Sequence, residues 1–491
     1  MDLSTVLTAI PFYRQDKEGN PTITSIENDH RLVSDGSIFI CIKGYTFDGH
    51  NAAKEAVEKG AVAIIAEQPV DVSVPVIYVR STKRAMAQLA AHFYGHPTES
   101  FHLIGITGTN GKTTTSHLID EILRASGETT GLIGTMYMKI GDETVETKNT
   151  TPESLTLQKT FSKMKTAGVS AAVMEVSSHA LQEGRTNGTQ FNVAVFTNLT
   201  QDHLDFHRTM DEYRTAKGLL FSRLGSSFHS STPTFAILNA DDKASQVYEA
   251  MTAAHVVTYG LEQDADIQAK EIQLTSAGTA FTIHYPGGMI GIKSKLAGLF
   301  NVYNILAAFA AGFVSNVAPE TMKHALERVV GVAGRFEMVS NDKGVSVIVD
   351  YAHTPDSLVN VLETVRPLTK GRVIAIVGCG GDRDKTKRPL MAQAACEHAD
   401  EAIFTSDNPR SEDPAAILAD MESGVVGQEY TIIEDRKEAI HRAIKFAQPG
   451  DSVVIAGKGH ETYQIIGRTV LHFDDREVAK EALADKKGGF A

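Results

Sequence analysis

The chain has 491 residues, enough for about three domains at roughly 150 residues each. With 42% hydrophobic and 22% charged residues it has the balance of a globular protein, not of a disordered or fibrous one. Lys plus Arg number 47 against 60 Asp plus Glu, a formal charge of −13, which argues against a general nucleic-acid or membrane-surface binder but leaves room for a local basic pocket.

Three scattered cysteines, Cys41, Cys379 and Cys396, are too few for a disulfide framework or a structural zinc site. Met1-Asp2-Leu3-Ser4 carries neither the basic region nor the apolar stretch of a signal peptide, and no run reaches the ~18 apolar residues of a membrane span. A cytoplasmic protein without a membrane or nucleic-acid partner is expected, and a monomer.

In chain order, residues up to 98 mix short apolar runs (Ser37 to Ile42, Ala61 to Ala66, Val74 to Val79) with helical stretches. Gly95 to Ser100 reads as a linker, because Gly and Pro break both periods. His102 to Thr107 is an apolar strand entering a Gly-rich turn, and Thr113 to Ala125 has helical spacing. Further buried strands are expected at Ala171 to Val176, Val193 to Asn198 and Phe235 to Asn239, separated by helical patterns, as in a parallel α/β sheet. Residues 266 to 296 suggest a small antiparallel patch. After Gly331 to Gly334 the rhythm restarts, with strands at Val345 to Asp350, Arg372 to Val377, Glu401 to Thr405, Tyr430 to Ile433 and Ser452 to Ala456, and a helix at Asp435 to Ala447. The expected fold class is α/β in three domains: 1–98, a central P-loop-type parallel-sheet domain over 99–331, and a C-terminal Rossmann-like doubly wound domain over 332–491. There is no internal repeat, and low complexity is confined to a polar tail at Lys486 to Gly489.

The strongest chemical signal is Ile104-Gly105-Ile106-Thr107-Gly108-Thr109-Asn110-Gly111-Lys112-Thr113-Thr114-Thr115. A strand ends and a helix begins around a loop whose N–H groups suit a phosphate chain. Gly108 and Gly111 permit close approach, Lys112 adds a point charge, and Thr113 can place a hydroxyl on Mg²⁺. The usual P-loop spacing calls for Gly at 106, where this chain has Ile106.

Other residues carry two readings each. Glu175 and His203 lie at or just beyond apolar strands, where a carboxylate and an imidazole suit Mg²⁺ beside phosphate, but alone each also reads as a surface acid or a loop histidine. Lys217, in a helical pattern with charge on one face, reads as a solvated lysine. Asn304 is either a ligand or the cap of the apolar helix that follows, and His353 could equally be a cap contact before Thr354-Pro355. Gly378-Cys379-Gly380-Gly381-Asp382-Arg383 lacks the spacing of a dinucleotide fingerprint, and the basic stretch from Arg383 to Arg388 reads as a solvated loop. No local Ser-His-Asp or Cys-His signature stands out.

Thr107 to Thr113 resembles the ATP loop of the Mur ligases, which build the peptide stem of bacterial peptidoglycan; folylpolyglutamate synthases carry a related loop. Asn149-Thr150-Thr151-Pro152, Glu175-Val176-Ser177-Ser178-His179, Asn198 to Asp205, Gly334-Arg335-Phe336-Glu337 and Asp350-Tyr351-Ala352-His353-Thr354-Pro355 match that family too. Asp407-Asn408-Pro409-Arg410 and Gly457-Lys458-Gly459-His460-Glu461 look like its diaminopimelate-adding type. The resemblance implies an ATP-dependent ligase that joins meso-diaminopimelate to a UDP-N-acetylmuramoyl dipeptide through an acyl phosphate, with ATP as co-substrate and Mg²⁺ as cofactor. It implies ATP contacts at Gly108, Thr109, Asn110, Gly111, Lys112, Thr113, Thr114, Asn304, Arg335 and Asp350, with Lys112, Lys217 and His203 catalytic. Thr113, Glu175, His203 and Lys217, the last as a carbamate, are the implied metal residues. His30, Asn149, Thr150, Thr151, Ser177 and Arg185 are implied for the UDP substrate, and Arg383, Asp407, Asn408, Pro409, Arg410, Gly457 and Glu461 for diaminopimelate.

One position departs from the family. Related ligases read Asp-Ser-Arg where this chain has Asp29-His30-Arg31, and the UDP-sugar is nevertheless expected because Gly44-Tyr45-Thr46-Phe47-Asp48-Gly49 and the ATP centre match. Rival readings are a P-loop regulatory or motor ATPase, a non-catalytic nucleotide module, a lysine-adding relative and a folylpolyglutamate synthase-like ligase. Phosphate release that needs both a carboxylate acceptor and an amine separates a ligase from the first two.

Overall fold

The structure is a computed structural model that describes residues 1–44, 47–147, 149–226, 233–275 and 278–486. Tyr45 and Thr46 of the expected UDP motif, and the polar tail beyond Lys486, lie outside the described residues. The fold is α/β with three parallel-sheet cores. By compactness the chain divides into two units, 1–107 with 127–194 and 219–235, and 108–126 with 195–218 and 236–491.

The first unit opens with a five-stranded sheet in the order Arg14–Gln15, Val76–Tyr78, Ala61–Ala66, Ser37–Ile40, Ser25–Glu27, all parallel except the first. Its strands alternate between two cores. Ile38, Ile40, Ala63, Ile65 and Ile77 face one, while Phe39, Cys41, Ile64, Ala66 and Val76 face the other. Side chains alternate along a strand, so a continuous apolar run buries both faces, as parallel sheets require. The expected linker is a 3₁₀ turn at Pro97–Ser100, entered through His96 in the left-handed region. Further along, Ala171–Glu175 lies parallel between His102–Thr107 and Thr130–Ile133.

In the second unit the phosphate-loop helix, Lys112–Ala125, packs against the apolar helix Leu299–Val314. The expected antiparallel patch is a three-stranded meander, Ile267–Thr275, Gly278–Tyr285 and Gly288–Ser294. Beyond it lies a six-stranded sheet in the order Glu337–Met338, Ser346–Asp350, Ser452–Ala456, Val373–Cys379, Glu401–Ser406, Thr431–Ile432. Four adjacent parallel strands thus end side by side at Asp350, Ala456, Cys379 and Ser406, and the residues that follow them make up part of the candidate site. This is where open α/β sheets gather ligands. Tyr430 to Ile433 shrinks to a two-residue edge strand, and the hairpin Tyr463–Ile466/Thr469–His472 was not expected.

Candidate active site

The phosphate loop begins later than the usual spacing suggests. Ile106 is fully buried inside the strand His102–Thr107, paired with Glu175, so a side chain is accommodated there and the loop's own glycines begin at position 108. At Gly108 a Cβ would lie 1.8 Å from Thr197 Oγ1, and at Gly111, with φ +85, a Cβ would lie 2.4 Å from Asn304 Oδ1. Neither approach is open to a residue with a side chain. The loop is fastened to the segment from Thr197 to Thr200. Thr109 N donates to Asn198 O at 2.8 Å, Asn110 N donates to Asn198 Oδ1 at 2.8 Å, and Thr197 Oγ1 donates to Asn110 O at 2.7 Å.

Two ammonium groups converge on this loop. Lys112 Nζ donates to Gly108 O at 2.9 Å and Thr109 O at 2.8 Å, and Lys217 Nζ donates to the same Gly108 O at 2.7 Å. The reading of Lys217 as a solvated lysine is wrong, since it is 1% exposed with Nζ 4.3 Å from the Tyr213 ring centre. Burial, with Lys112 adding to it, holds its ammonium well below the ordinary lysine range, and Asp202 opposes the shift. The helix that carries it turns this face inward because Tyr213, Ala216, Leu220 and Phe221 are buried with it.

Asn304 is not a cap. It sits in the second turn of Leu299–Val314, accepts from Thr115 Oγ1 at 3.2 Å, and donates to Asn301 Oδ1 at 3.1 Å. Arg335 Nη2 donates to Thr113 Oγ1 at 3.1 Å while its guanidinium lies 4.5 Å from the Tyr351 ring centre. Asp350 accepts from Phe336 N at 2.6 Å; burial pushes its carboxyl up, and Arg335 counters this.

Sequence reasoning missed a buried polar cluster beside the loop. Asp202, 3% exposed, faces His203 Nε2 at 3.3 Å, His353 Nε2 at 3.6 Å and Lys387 Nζ at 3.2 Å. Burial pushes the Asp202 carboxyl up, yet His203, Lys387 and His353 together hold it well below the usual carboxylate range. His353 is therefore more than a cap. Arg383 and Lys385 are exposed as expected, but Lys387 and Arg388 are buried, so the basic stretch is not one solvated loop. Arg388 is clasped by Glu412 and Asp420, and its Nη2 donates to Gly380 O at 3.2 Å. A Cβ on Gly381 would lie 1.9 Å from Pro409 O, so the glycines after Val373–Cys379 serve contact with the Asp407 to Arg410 loop.

That loop and the turn after Ser452–Ala456 form one constellation. Asn408 Nδ2 donates to Glu461 Oε2 at 2.8 Å. Arg410, at φ +52, donates from Nη1 to Gly381 O at 2.8 Å and to Asn408 O at 3.4 Å. Its left-handed backbone is held by the unexpected hairpin, with Arg410 N donating to Ile465 O at 3.0 Å and Gly467 N to Arg410 O at 2.7 Å. The hairpin had a sequence signal, a two-residue Gly467-Arg468 turn between β-branched runs. Arg383 is exposed and bonded to its own neighbour, Asp382 O, outside this network.

The first unit gathers most of the residues implied for the UDP substrate. Thr151 Oγ1 donates to Glu175 O at 2.8 Å and accepts from Ser177 N at 3.0 Å; Arg185 Nη1 donates to Thr151 O at 3.1 Å. Thr150 Oγ1 lies 3.0 Å from Thr135 Oγ1, and Asn149 O accepts from Thr147 Oγ1 at 2.7 Å. Glu175 is fully buried, no surface acid, and accepts from Thr135 N at 3.0 Å and Oγ1 at 2.9 Å. His30, on the turn His30–Leu32, faces Glu55 Oε2 at 3.7 Å and the Phe47 ring at 5.6 Å.

Residues 106–312 match the model of the Mur ligase middle domain, 334–459 that of the Mur ligase glutamate ligase domain, and 22–94 that of the Mur ligase family catalytic domain. The chain is 59% identical over 486 residues to the UDP-N-acetylmuramoyl-L-alanyl-D-glutamate--2,6-diaminopimelate ligase of Bacillus cereus, with 99% of each covered. It is 54% identical over 489 residues to the ligase of the same name from Listeria monocytogenes, with 99% of this chain and 100% of that one covered. Among solved structures it is similar to one of a ligase of that name, 33% identical, with a TM-score of 0.69 and 99% of each chain covered. MurF from Acinetobacter baumannii, at 21% identity, a TM-score of 0.69 and 98% of each chain, shares the fold. The chain belongs to the Mur ligase family.

Proposed function

We propose that this protein is an ATP-dependent amide ligase that adds meso-2,6-diaminopimelate to the D-glutamate of UDP-N-acetylmuramoyl-L-alanyl-D-glutamate, in peptidoglycan precursor synthesis. The relatives carrying that name, 54% identical or more over nearly the whole chain, support the reaction class. One observation carries the choice of amino acid: the Arg410 guanidinium is anchored on the loop that bears the Asp407 carboxylate, and Asn408 of the same loop holds a second carboxylate, Glu461. A cation next to an anionic pair suits a carbon bearing both a carboxylate and an ammonium. Diaminopimelate has such a carbon at its far end, and lysine does not.

In the proposed reaction the D-glutamyl γ-carboxylate attacks the γ-phosphorus of ATP, ADP leaves, and an acyl phosphate forms. The free amine of diaminopimelate then attacks the acyl carbon, the tetrahedral intermediate expels phosphate, the nitrogen gives up a proton that the departing phosphate can take, and the amide remains. No protein nucleophile is needed; the residues position and neutralise charge. Gly108 to Thr114 cradle the phosphates, Lys112 turns from the loop carbonyls to the γ-phosphate, and Asn304, Arg335 and Asp350 serve the nucleotide. The buried, readily neutral Lys217 amine beside Lys112 suits carbamylation, which would replace like-charge repulsion with attraction.

The residues present fit magnesium. Thr113, His203 and carbamylated Lys217 are its proposed residues in the second unit, and Glu175 in the first. Mg²⁺ takes most of its ligands from phosphate and water, so one or two protein oxygens suffice, and it neutralises phosphate charge when bound. Arg335 must leave the Thr113 hydroxyl for that role. His30, Asn149, Thr150, Thr151, Ser177 and Arg185 are proposed for the UDP substrate, and Arg383, Asp407, Asn408, Pro409, Arg410, Gly457 and Glu461 for diaminopimelate. Domains at 1–98, 99–331 and 332–491, a monomer, and a cytoplasmic location complete the proposal.

Product mass after incubation with ATP, Mg²⁺, the UDP-dipeptide and either amino acid tests it. Diaminopimelate is expected to be joined and lysine rejected by tenfold or more in kcat/KM, since a charge-assisted contact is worth about 1.5–3 kcal/mol. Arg410→Ala should lose most of that preference. Equal use of both amino acids by the unaltered enzyme would refute the assignment.

A further inference from the structure

One group in the amino-acid constellation has no role in the reaction proposed above. Lys458 is 0% exposed, yet carries an ammonium. Its Nζ donates to Asn408 Oδ1 at 3.1 Å and to Glu461 Oε2 at 3.3 Å, and lies 3.7 Å from Asp407 Oδ1. Every one of these partners is a residue proposed to meet diaminopimelate. A buried ammonium is costly unless paired, so its retention under the site calls for a reason.

The first consequence is geometric. Asn408 Oδ1 accepts from both Lys458 Nζ and Ile465 N, the latter at 2.9 Å. Turning the amide over would set its NH₂ against two donors. The amide is thus locked with Nδ2 directed at Glu461. The second consequence is electrostatic. Asp407 and Glu461 bring two negative charges and Lys458 one positive, which leaves one negative charge for an incoming ammonium. Without Lys458 the two carboxylates would face each other unscreened, and one would take up a proton.

We propose that Lys458 is a positioning residue of the amino-acid site: it fixes the Asn408 amide and offsets one of two carboxylates, so that the site offers one net negative charge to the substrate ammonium. This rests on the reading of the site as the diaminopimelate site. Glu461 is consistent with it: burial first, then Asp407, pushes its carboxyl up, and Lys458 works against both. Among the described residues, Arg436, Tyr351 and Tyr463 also interact electrostatically with it, Tyr463 through a hydrogen bond as well.

The experiment measures KM for diaminopimelate, KM for ATP, and the pH profile of kcat/KM for diaminopimelate in the unaltered enzyme, Lys458→Met and Lys458→Arg. In Lys458→Met, KM for diaminopimelate should rise tenfold or more while KM for ATP stays within twofold, and the acid limb of the profile should move to higher pH. Lys458→Arg keeps the charge but cannot reproduce the compact ammonium geometry; its acid limb should stay in place while KM for diaminopimelate rises severalfold. Equal rises in both KM values, or an unmoved acid limb in a folded Lys458→Met protein, would overturn the proposal. If Lys458→Met does not fold, an unchanged KM for diaminopimelate in Lys458→Arg overturns it instead. Failure of the unaltered enzyme to use diaminopimelate at all would overturn the functional reading, and this inference with it.

Discussion

His460 shows how one side chain makes the fold sensitive to acid. Its ring lies 5.2 Å from the Tyr351 ring, and Nδ1 is buried without a hydrogen-bond partner. Burial, then Arg335, Arg476 and His117, push its pKa down from 6.5 to about 3. The folded chain therefore keeps this imidazole neutral where the unfolded chain would protonate it. The stability so contributed is complete above pH 6.5 and is lost as the pH falls toward 3, at up to about 1.4 kcal/mol per unit. His460→Gln, neutral throughout, should lose about 1 kcal/mol less stability than the unaltered chain between pH 7.5 and 5.5, read from urea midpoints. Parallel losses in the two proteins would show that His460 is not the group responsible.

Two helices are joined by a fully buried ion pair. Arg436 begins Arg436–Phe446, Asp475 begins Asp475–Asp485, and both side chains are 0% exposed. Arg436 Nε and Nη2 meet the carboxylate at 2.8 and 2.7 Å, and Nη2 also donates to Ala456 O at 2.9 Å. Ala456 immediately precedes Gly457, so the pair supports the strand end that carries Gly457 and Glu461, residues proposed for the amino acid. Each carboxylate oxygen is satisfied, but neither charge can reach water. Removing one partner by Asp475→Leu should cost about 3–5 kcal/mol, while Arg436→Met combined with Asp475→Leu should cost much less, because no unpaired charge is left buried. Denaturant midpoints of the three proteins decide it, and additive losses would contradict the pairing argument. At this scale the sequence was informative about periods: His102–Thr107, Phe235–Asn239 and Ser452–Ala456 fall where alternation and apolar runs place them. It was silent on Glu337–Met338, a two-residue edge strand too short to carry a period.

For the molecule as a whole, a ligand that binds only the folded chain must raise its stability. ATP with Mg²⁺ at a hundredfold excess over its Kd should add about 2.7 kcal/mol, seen as a higher melting temperature. Lys112→Ala should remain folded and lose most of that increment, since its ammonium donates to the loop carbonyls of Gly108 and Thr109 and contributes charge toward phosphate. An unshifted melting curve for the unaltered chain at saturating nucleotide would remove the nucleotide loop from the reading. Among the described residues no helix is long and apolar enough to cross a membrane.

What the sequence determined by itself was the repertoire: α/β elements in order, a phosphate loop after a strand, and two C-terminal motifs that resemble those of the diaminopimelate-adding Mur ligases. These are local properties, set by hydrophobic period, by glycine where no Cβ fits, and by residues adjacent in the chain. Tertiary structure alone decided which polar side chains lie inside. Lys217, Lys387 and Arg388 read as solvated cations along the chain, and Lys458 carries no reading of its own there, yet each is buried and paired with a group distant in sequence. A charged residue's neighbours in sequence specify the face it occupies, but not whether another element will cover that face. For Arg388 and Lys458 it is the crossover order of the six-stranded sheet, which sets Asp350, Ala456, Cys379 and Ser406 side by side, that brings the partners together.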